Sequence, residues 1–187
     1  MTKRCSWVKM TNPLYIAYHD EEWGYPLHDD KALFELLCME TYQAGLSWET
    51  VLNKRQAFRE AFHGYQIQAV AEMTDEELEA LLENPAIIRN RAKLFATRAN
   101  AQAFLQIQKT FDSFDAYLWS FVVGKTIIND VPDYHLAPAK TALSEKLSQD
   151  LKKQGFKFTG PVAVLSFLQA AGLVDDHEND CEWKNGN

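Results

Sequence analysis

The sequence predicts an all-α protein that forms one domain with about seven to nine helices. Three observations lead to this prediction. Apolar residues recur at helical spacing along most of the chain, residues that cap helices precede many of these segments, and no alternating apolar–polar run bounded by turns indicates a strand. The length of 187 residues suits a single domain, and 47% apolar with 24% charged residues is a globular composition.

Most predicted helices are delimited by residues that start or stop a helix. The candidate starts, in chain order, are Asp29 with Asp30, Ser47, Thr74, Ser113, Thr141 and Pro161. The candidate ends are Gly45, Gly64, Asn84-Pro85, Gly155 and Gly172. Thr74 and Glu77 are spaced as a capping box, in which each side chain satisfies the other residue's exposed amide. A longer helix is predicted from about Ile87 to Ile107, and residues 125–138 are predicted to be irregular.

The charge and the apolar runs exclude several classes of protein. The formal net charge of −7 argues against non-specific coating of nucleic acid, but not against a local basic face. The longest apolar run, Leu14 to Tyr18, has five residues, whereas a membrane span needs about 20. Lys3 and Arg4 are not followed by an apolar stretch of signal-peptide length. Three cysteines do not suggest a disulfide framework, so we expect a cytoplasmic protein, and we expect a monomer.

Two pairs of metal-ligating residues lie near the two ends of the sequence. Cys5 and His19 are 14 residues apart, and His177 and Cys181 are 4 residues apart. Together they form a Cys₂His₂ set, which suits tetrahedral Zn²⁺ and leaves no open position for catalysis. The wide spacing of the first pair leaves a second interpretation open, in which the thiols are buried and the imidazoles lie on the surface.

A short helix, a tight turn and a longer helix are predicted over residues 75–93. The second helix would open with three cations, Arg89, Arg91 and Lys93, and its N-terminal amides suit a phosphate oxygen. Such a helical hairpin grips the DNA backbone without reading sequence. An ordinary hairpin with a solvated basic face is the alternative, and the acidic first helix could not itself lie against DNA.

Five aromatic residues are concentrated in the first quarter of the sequence: Trp7, Tyr15, Tyr18, Trp23 and Trp48. Core packing is the usual explanation for such residues. A pocket for a flat cationic base is the alternative, because ring faces attract a cation and a carboxylate balances its charge. Glu40, with Gln43 close in sequence, is the candidate carboxylate, although an exposed helical Glu is the more common case.

Several of these residues lie in motifs that resemble one family. Three segments closely resemble bacterial 3-methyladenine DNA glycosylase I: Arg4-Cys5-Ser6-Trp7, Pro13 to Gly24, and Gln43-Ala44-Gly45-Leu46-Ser47-Trp48. The similarity covers nearly the whole chain, and the last two segments are highly specific. On these motifs the chain is identified as a member of the helix-hairpin-helix glycosylase superfamily.

The resemblance implies an enzyme that excises 3-methyladenine from double-stranded alkylated DNA and releases it as the free base. The nucleotide would be flipped out of the duplex, and water would hydrolyse its N-glycosidic bond. The residues implied to act on the base are Glu40 and Tyr18, with Trp48 stacking on it and Trp7, Tyr15 and Trp23 shaping the pocket. Leu46 is expected to enter the gap left by the flipped base.

The resemblance also implies a structural zinc ion, one per chain, bound by the matching residues Cys5, His19, His177 and Cys181. The single domain, residues 1–187, would have two helical lobes. A lobe from about residue 30 to 122 would hold the hairpin at about 75–93, and residues 1–29 and 139–187 would be joined by zinc. The hairpin residues implied to contact DNA are Ala86, Ile88, Arg89 and Arg91.

The hairpin departs from the family pattern at Ala86, where such hairpins usually carry Gly. Gly allows a left-handed backbone and close approach of a phosphate, whereas Ala would be strained by about 1 kcal/mol in that conformation. No lysine is placed as an imine-forming nucleophile, so we expect a monofunctional enzyme without lyase activity. A non-catalytic zinc-stapled module that recognises damaged DNA, and an enzyme acting on another small cationic or aromatic substrate, are the alternatives.

Overall fold

The computed structural model of the protein is mostly helical and describes residues 2–184, so Met1 and residues 185–187 of the predicted domain lie outside it. Within residues 2–184 there are ten α-helices, one more than the upper end of the predicted range of seven to nine. They are α1 (Pro13–Glu21), α2 (Asp30–Tyr42), α3 (Trp48–Asn53), α4 (Arg55–Ala61), α5 (Ile67–Ala71), α6 (Asp75–Ala80), α7 (Arg91–Phe111), α8 (Phe114–Ser120), α9 (Ala142–Lys153) and α10 (Pro161–Ala170). Short 3₁₀ helices lie at His63–Tyr65, Leu81–Glu83 and Tyr134–Leu136. None of the helices in this range is long and apolar enough to cross a membrane.

The predicted helix starts are confirmed by hydrogen bonds at the helix N-termini. The capping side chains, each of which accepts a hydrogen bond from a backbone amide of the helix that follows, are Asp29, Ser47, Thr74, Ser113 and Thr141. Thr74 also forms the predicted capping box with Glu77, and Pro161 opens α10. Local sequence therefore determines where these helices begin.

Two predicted boundaries are wrong. The helix that Ser47 starts does not continue to Gly64, because it breaks at Lys54 into α3 and α4. The long helix starts at Arg91 instead of Ile87, because Asn90 caps it by accepting a hydrogen bond of 3.1 Å from the amide of Lys93. Helices α1 and α5, with 9 and 5 residues, are too short to show a clear helical repeat and were not predicted.

Residues 125–138 are irregular as predicted, apart from two short elements. Ile127–Ile128 forms β1, which pairs in parallel with β2, Val174–Asp175, and Tyr134–Leu136 forms a 3₁₀ helix. The two-strand pairing attaches this segment to the chain that follows α10. It thereby brings residues of the irregular segment next to α10, although the two are far apart in sequence.

Helix α2 is the centre of the fold. All its residues from Leu33 to Tyr42 are buried, and it packs against α7, α8 and α10. A surface helix keeps a polar face in water, whereas α2 buries two acidic side chains, Glu35 and Glu40, together with its apolar ones. Arg55 of α4 compensates the first of these, because its Nε donates a hydrogen bond of 2.6 Å to Glu35.

Gly172 ends α10 in a left-handed conformation with φ of +77°, and the chain at Tyr25 and Pro26 passes directly over it. A Cβ atom at Gly172 would lie 2.5 Å from the carbonyl carbon of Tyr25 and from the nitrogen of Pro26. We expect Gly172→Ala to lower the free energy of unfolding by about 2–5 kcal/mol, since left-handed strain is added to a clash with backbone atoms.

The matched control is Gly64→Ala, because Gly64 also has a positive φ, +63°, but no atom lies within 4 Å of the added Cβ. This control should cost only the left-handed strain, about 1–2 kcal/mol. Urea unfolding of both variants measures the difference. Equal losses in the two variants would contradict the clash at Gly172.

Candidate functional site

A cavity of about 150 Å³ lies between α1, α2, the start of α3 and α10. Its walls are formed by Trp7, Tyr15, Tyr18, Trp23, Glu40, Gln43, Trp48, Tyr134, Ser166 and Gln169. All six residues that the sequence assigned to the base pocket are among them. The aromatic residues concentrated near the start of the chain are therefore not simply core, because they enclose a space.

Glu40 is the acidic residue of this cavity. Its side chain belongs to the buried face of α2, with 4% of the residue exposed, and its Oε2 has no hydrogen-bond partner among the described residues. Burial raises the pKa of Glu40 to about 8, because removal from water penalises the charged form. The carboxyl group is therefore mostly protonated at neutral pH, and a cation in the cavity would favour its ionised form.

Aromatic rings form the other walls of the cavity. The rings of Tyr18, on α1, and Trp48, the first residue of α3, are tilted at 47° with their centroids 5.2 Å apart. Trp7 packs edge-on against Trp23 at 4.9 Å and lies 5.8 Å from Tyr15. The indole nitrogens of Trp7 and Trp48 are buried and have no hydrogen-bond partner in residues 2–184. The cavity thus offers ring faces to a flat molecule.

Three lining residues were missed by sequence reasoning: Tyr134, Ser166 and Gln169. Ser166 and Gln169 are three residues apart on α10, so they share one face of that helix, and this spacing is a usable signal. No local signal marks Tyr134, because only the β1–β2 pairing and the packing of its segment bring it to the cavity.

Leu46 does not line the cavity. It lies, 38% exposed, on an adjoining groove that also contains Phe158 and Val162. The groove shares Glu40 with the cavity, so the two spaces adjoin. The loop that carries Leu46 is held by Lys93, whose Nζ donates hydrogen bonds of 2.8 and 2.6 Å to the carbonyls of Tyr42 and Ala44.

The hairpin region differs from its prediction in three respects. Lys93 is buried under the loop just described and is not a surface cation. Ala86 is not strained, because it does not have a positive φ, and its amide donates to Asn84 Oδ1 at 3.0 Å. Arg91 opens α7 but pairs with Glu79 of the acidic helix α6 at 2.6 Å. Arg89 is exposed and Ile88 is half-buried, both in the loop before α7.

Three of the four predicted metal ligands form one cluster. Ligand atoms of Cys5, His19 and Cys181 all lie within 4.8 Å of one another, and all three residues are buried. The pKa of Cys181 is lowered to about 4, chiefly because Cys5 donates a hydrogen bond to its sulfur. The same hydrogen bond raises the pKa of Cys5. The interpretation with surface imidazoles is wrong, because His19 and His177 are both buried.

His177 lies beside this cluster, outside the 4.8 Å group. Its ring is 5.4 Å from that of His19, and its buried Nε2 has no hydrogen-bond partner within the described chain. The Nδ1 atoms of the two histidines each lie 2.8 Å from a carboxylate, Asp20 for His19 and Asp175 for His177. A proton held on Nδ1 by the carboxylate leaves the lone pair on Nε2, which is the arrangement that suits a metal-ligating histidine.

Comparison with known proteins identifies the family. The sequence profile of the methyladenine glycosylase family matches residues 7–185. The chain belongs to this family. This methyladenine glycosylase is therefore an enzyme, a hydrolase that acts on N-glycosyl bonds, as the resemblance implied, and the non-catalytic alternative is wrong.

Two relatives match this methyladenine glycosylase over nearly its whole length. The DNA-3-methyladenine glycosylase of Haemophilus influenzae is 50% identical over 184 residues, 98% of this chain and 99% of the relative. DNA-3-methyladenine glycosylase 1 of Escherichia coli is 45% identical over 185 residues, 99% of this chain and 98% of the relative. The similarity therefore extends across the cavity, the hairpin and the cluster of Cys5, His19 and Cys181.

Solved structures of similar proteins have the same fold. One of them, a variant of 3-methyladenine DNA glycosylase I in complex with 3-methyladenine, superposes with a TM-score of 0.93 at 42% identity. The superposition covers 97% of each chain. The mostly helical architecture predicted from the sequence is therefore confirmed.

The raised pKa of Glu40 predicts how stability depends on pH. The ordinary pKa of a Glu is 4.5, and that of Glu40 in the folded protein is about 8. At a pH between these two values, Glu40 is ionised in the unfolded chain but protonated in the folded protein. The folded state then binds more protons, so stability falls as pH rises through this window, by at most a few kcal/mol. We expect Glu40→Gln to remove this contribution, because an amide does not titrate.

The measurement is the free energy of unfolding of both proteins at intervals from pH 4.5 to pH 8.5, at constant ionic strength. The expected result is a gap in favour of Glu40→Gln that widens with pH and levels off above about 8. A gap that is independent of pH would show that Glu40 is ionised in the folded protein.

Proposed function

We propose that this enzyme excises 3-methyladenine from alkylated double-stranded DNA and releases the free base. The observation that carries the proposal is the buried carboxyl group of Glu40, whose Oε2 has no hydrogen-bond partner within residues 2–184, in a cavity walled by aromatic rings. The relatives bear the name DNA-3-methyladenine glycosylase, and a solved structure of the same fold contains 3-methyladenine. The carboxyl group favours a cationic base, and the relatives' name and the bound base favour 3-methyladenine in particular.

The chemistry of the leaving group explains why such a site suffices. Alkylation at N3 makes the adenine a cation, and cleavage of its glycosidic bond releases a neutral base. No general acid is then needed to protonate the leaving group. The enzyme must extrude the nucleotide, hold the base and tolerate positive charge on the sugar while water attacks C1′.

Glu40 and Tyr18 hold the base edge in this proposal, while Trp48 stacks on its face and Trp7, Tyr15 and Trp23 complete the walls. Burial leaves Glu40 neutral in the empty cavity. A cationic base restores the ionised form, since an opposite charge within a few ångströms offsets the penalty of burial. A neutral base provides no such compensation, so the cavity discriminates by charge as well as by shape.

In this proposal Leu46 enters the duplex where the base has left it. Its side chain is exposed at the rim of the groove that adjoins the cavity, and Lys93 fixes the loop that bears it. An apolar side chain inserted between base steps offsets the lost stacking. Hydrogen bonds anchor the loop on both sides of Leu46, because Lys93 binds the carbonyl of Ala44 before it and Ser47 caps α3 directly after it.

The hairpin supplies the grip on the DNA backbone in this proposal, through Ala86, Ile88, Arg89 and Arg91. Arg89 is exposed, whereas Arg91 must exchange Glu79 for a phosphate. That exchange costs little, since exposed ion pairs contribute about 0–1 kcal/mol. The amide of Ala86 donates to Asn84 Oδ1 and its carbonyl accepts a hydrogen bond of 3.3 Å from Lys54 Nζ, so only its side chain is left for a contact with DNA.

The reaction is hydrolytic and monofunctional in this proposal. Within the described part of the chain, no lysine lines the cavity, so no amine stands where an imine with the sugar would form. Lys93, the lysine within the hairpin, donates its hydrogen bonds to two carbonyl groups. Water is then the nucleophile.

A zinc ion fits the cluster at the two ends of the chain. Two thiols and two imidazoles suit tetrahedral Zn²⁺, and the buried, unpartnered Nε2 of His177 supplies the fourth donor. Bound there, zinc supplies structural cross-linking only, because four protein ligands leave no position for water. Cys5, His19, His177 and Cys181 would thus join residues 1–29 to residues 139–187 within one domain and one monomer.

Activity tests the pocket assignment. We expect Glu40→Ala and Trp48→Ala each to lower the rate of 3-methyladenine release from methylated DNA by about tenfold to hundredfold, since a stacked base loses about 1–3 kcal/mol on alanine substitution. Chromatography of the free base measures it. Glu49→Gln is the control, because Glu49 follows Trp48 but lies outside the cavity. Unchanged release in both alanine variants would contradict the assignment.

Metal analysis tests the zinc site. We expect about one zinc per folded chain, and we expect His177→Ala to lower both the zinc content and the Tm, since a structural ion binds only the folded state. His135→Ala is the control, because His135 is exposed and apart from the cluster. Equal zinc content in the two variants would exclude His177 as a ligand.

A further inference from the structure

A chain of hydrogen bonds runs from the wall of the cavity into the protein. The hydroxyl of Tyr134 donates to Gln169 Oε1 at 2.9 Å, and Gln169 Nε2 donates to Asp176 Oδ2 at 2.7 Å. The other carboxylate oxygen of Asp176 accepts a hydrogen bond of 2.7 Å from Asn129 Nδ2. Tyr134 and Gln169 both line the cavity, so the first of these bonds lies on its wall.

The direction of every bond in this chain is determined. The carboxylate of Asp176 can only accept, so the amide nitrogen of Gln169 must face it. The amide oxygen of Gln169 then faces Tyr134, and an amide oxygen can only accept. The single proton of the Tyr134 hydroxyl is therefore committed to Gln169. What remains for a ligand in the cavity is the lone pair of the hydroxyl oxygen, which is an acceptor.

Packing and hydrogen bonds also fix the position of the Tyr134 hydroxyl. The ring of Tyr134 lies 6.1 Å from Trp7 and 6.2 Å from Trp23, both in the cavity wall. Its backbone amide donates a hydrogen bond of 2.9 Å to Glu178. Burial raises the pKa of Tyr134, so the hydroxyl keeps its proton. The ring, the backbone and the hydroxyl of Tyr134 are each held. The hydroxyl could therefore donate to a ligand only by breaking its hydrogen bond to Gln169, which would leave a buried acceptor unpaired.

We propose that Tyr134 is a specificity-determining residue that selects an adenine over a guanine among N3-alkylated bases, with Gln169 as its positioning residue. The amino group on C6 of adenine has two N–H donors, so it can satisfy a fixed acceptor. Guanine carries an oxo group on C6 instead. The oxo oxygen is an acceptor like the hydroxyl oxygen of Tyr134, so the two atoms cannot form a hydrogen bond and their lone pairs repel. A site built to pair one group rejects the analogue that cannot pair with it. This inference rests on the proposed function, because it assumes that the cavity holds the flipped base.

The test is the ratio of 3-methyladenine to 3-methylguanine released from the same methylated DNA. Tyr134→Phe removes the acceptor, so we expect 3-methyladenine release to fall about tenfold while 3-methylguanine release is kept or rises. Gln169→Leu frees the hydroxyl proton, so Tyr134 can donate to the oxo group, and we expect 3-methylguanine release to rise. The double variant should match Tyr134→Phe, because Gln169 acts only through the hydroxyl.

Tyr117→Phe is the matched control. Its hydroxyl also donates to an acceptor, Asp150 Oδ2 at 2.6 Å, but it lies outside the cavity, so the ratio should not change. An unchanged ratio in Tyr134→Phe, or an equal loss of both bases, would overturn the proposal. Failure of the wild-type enzyme to release either base would instead refute the proposed function, so the two failures are distinguishable.

Discussion

The burial of Glu40 in helix α2 is the constraint around which the rest of the site is arranged. Burial of a polar atom without a hydrogen-bond partner destabilises the folded state. Such atoms are rare in proteins, and Oε2 of Glu40 is one of them within residues 2–184. The neighbouring acid of the same helix shows the contrast, because Glu35 is paired with Arg55 and Arg59. Two arginines thus balance the charge of Glu35 within the protein. In the proposed function, a cationic base that enters the cavity would balance the charge of Glu40.

The proposed zinc cluster and the proposed base pocket share the same aromatic wall. Trp23 is stacked at 15° on His19 with centroids 6.3 Å apart, and it packs edge-on against His177 at 4.6 Å. Glu178 lies between His177 and Cys181 in the sequence, and it accepts hydrogen bonds from the backbone amides of Ser6 and Tyr134. A cross-link at the cluster therefore also fixes the rings and the hydroxyl that face the base. The zinc would have no chemical part in the reaction, yet the shape of the pocket would depend on it.

Sequence reasoning succeeded where the determinant is local. The caps at Asp29, Ser47 and Thr74 depend on a side chain and an amide two or three residues later, and short motifs report such contacts faithfully. Sequence reasoning predicted Lys93 to be a surface cation, and this prediction was wrong. A pattern of charges does not show that the loop after α2 covers the face of α7 on which Lys93 lies. The same limit applies to the cavity. The aromatic residues concentrated in the first quarter of the sequence were found together with Glu40, whereas Tyr134 was not, because a parallel pairing across 47 residues attaches its segment beside α10.

An acidic enzyme that acts on DNA must recognise its target by means other than bulk attraction. With a net charge of −7, and with Arg91 and Lys93 engaged within the protein, few cations of the hairpin are available to phosphate before contact. The neutral state of Glu40 then has a further consequence. An ionised carboxylate at the cavity would repel the backbone of the approaching strand, whereas a protonated one does not. In the proposed function, the charge that favours the alkylated base would develop only once the cation has entered, because burial keeps Glu40 protonated until then.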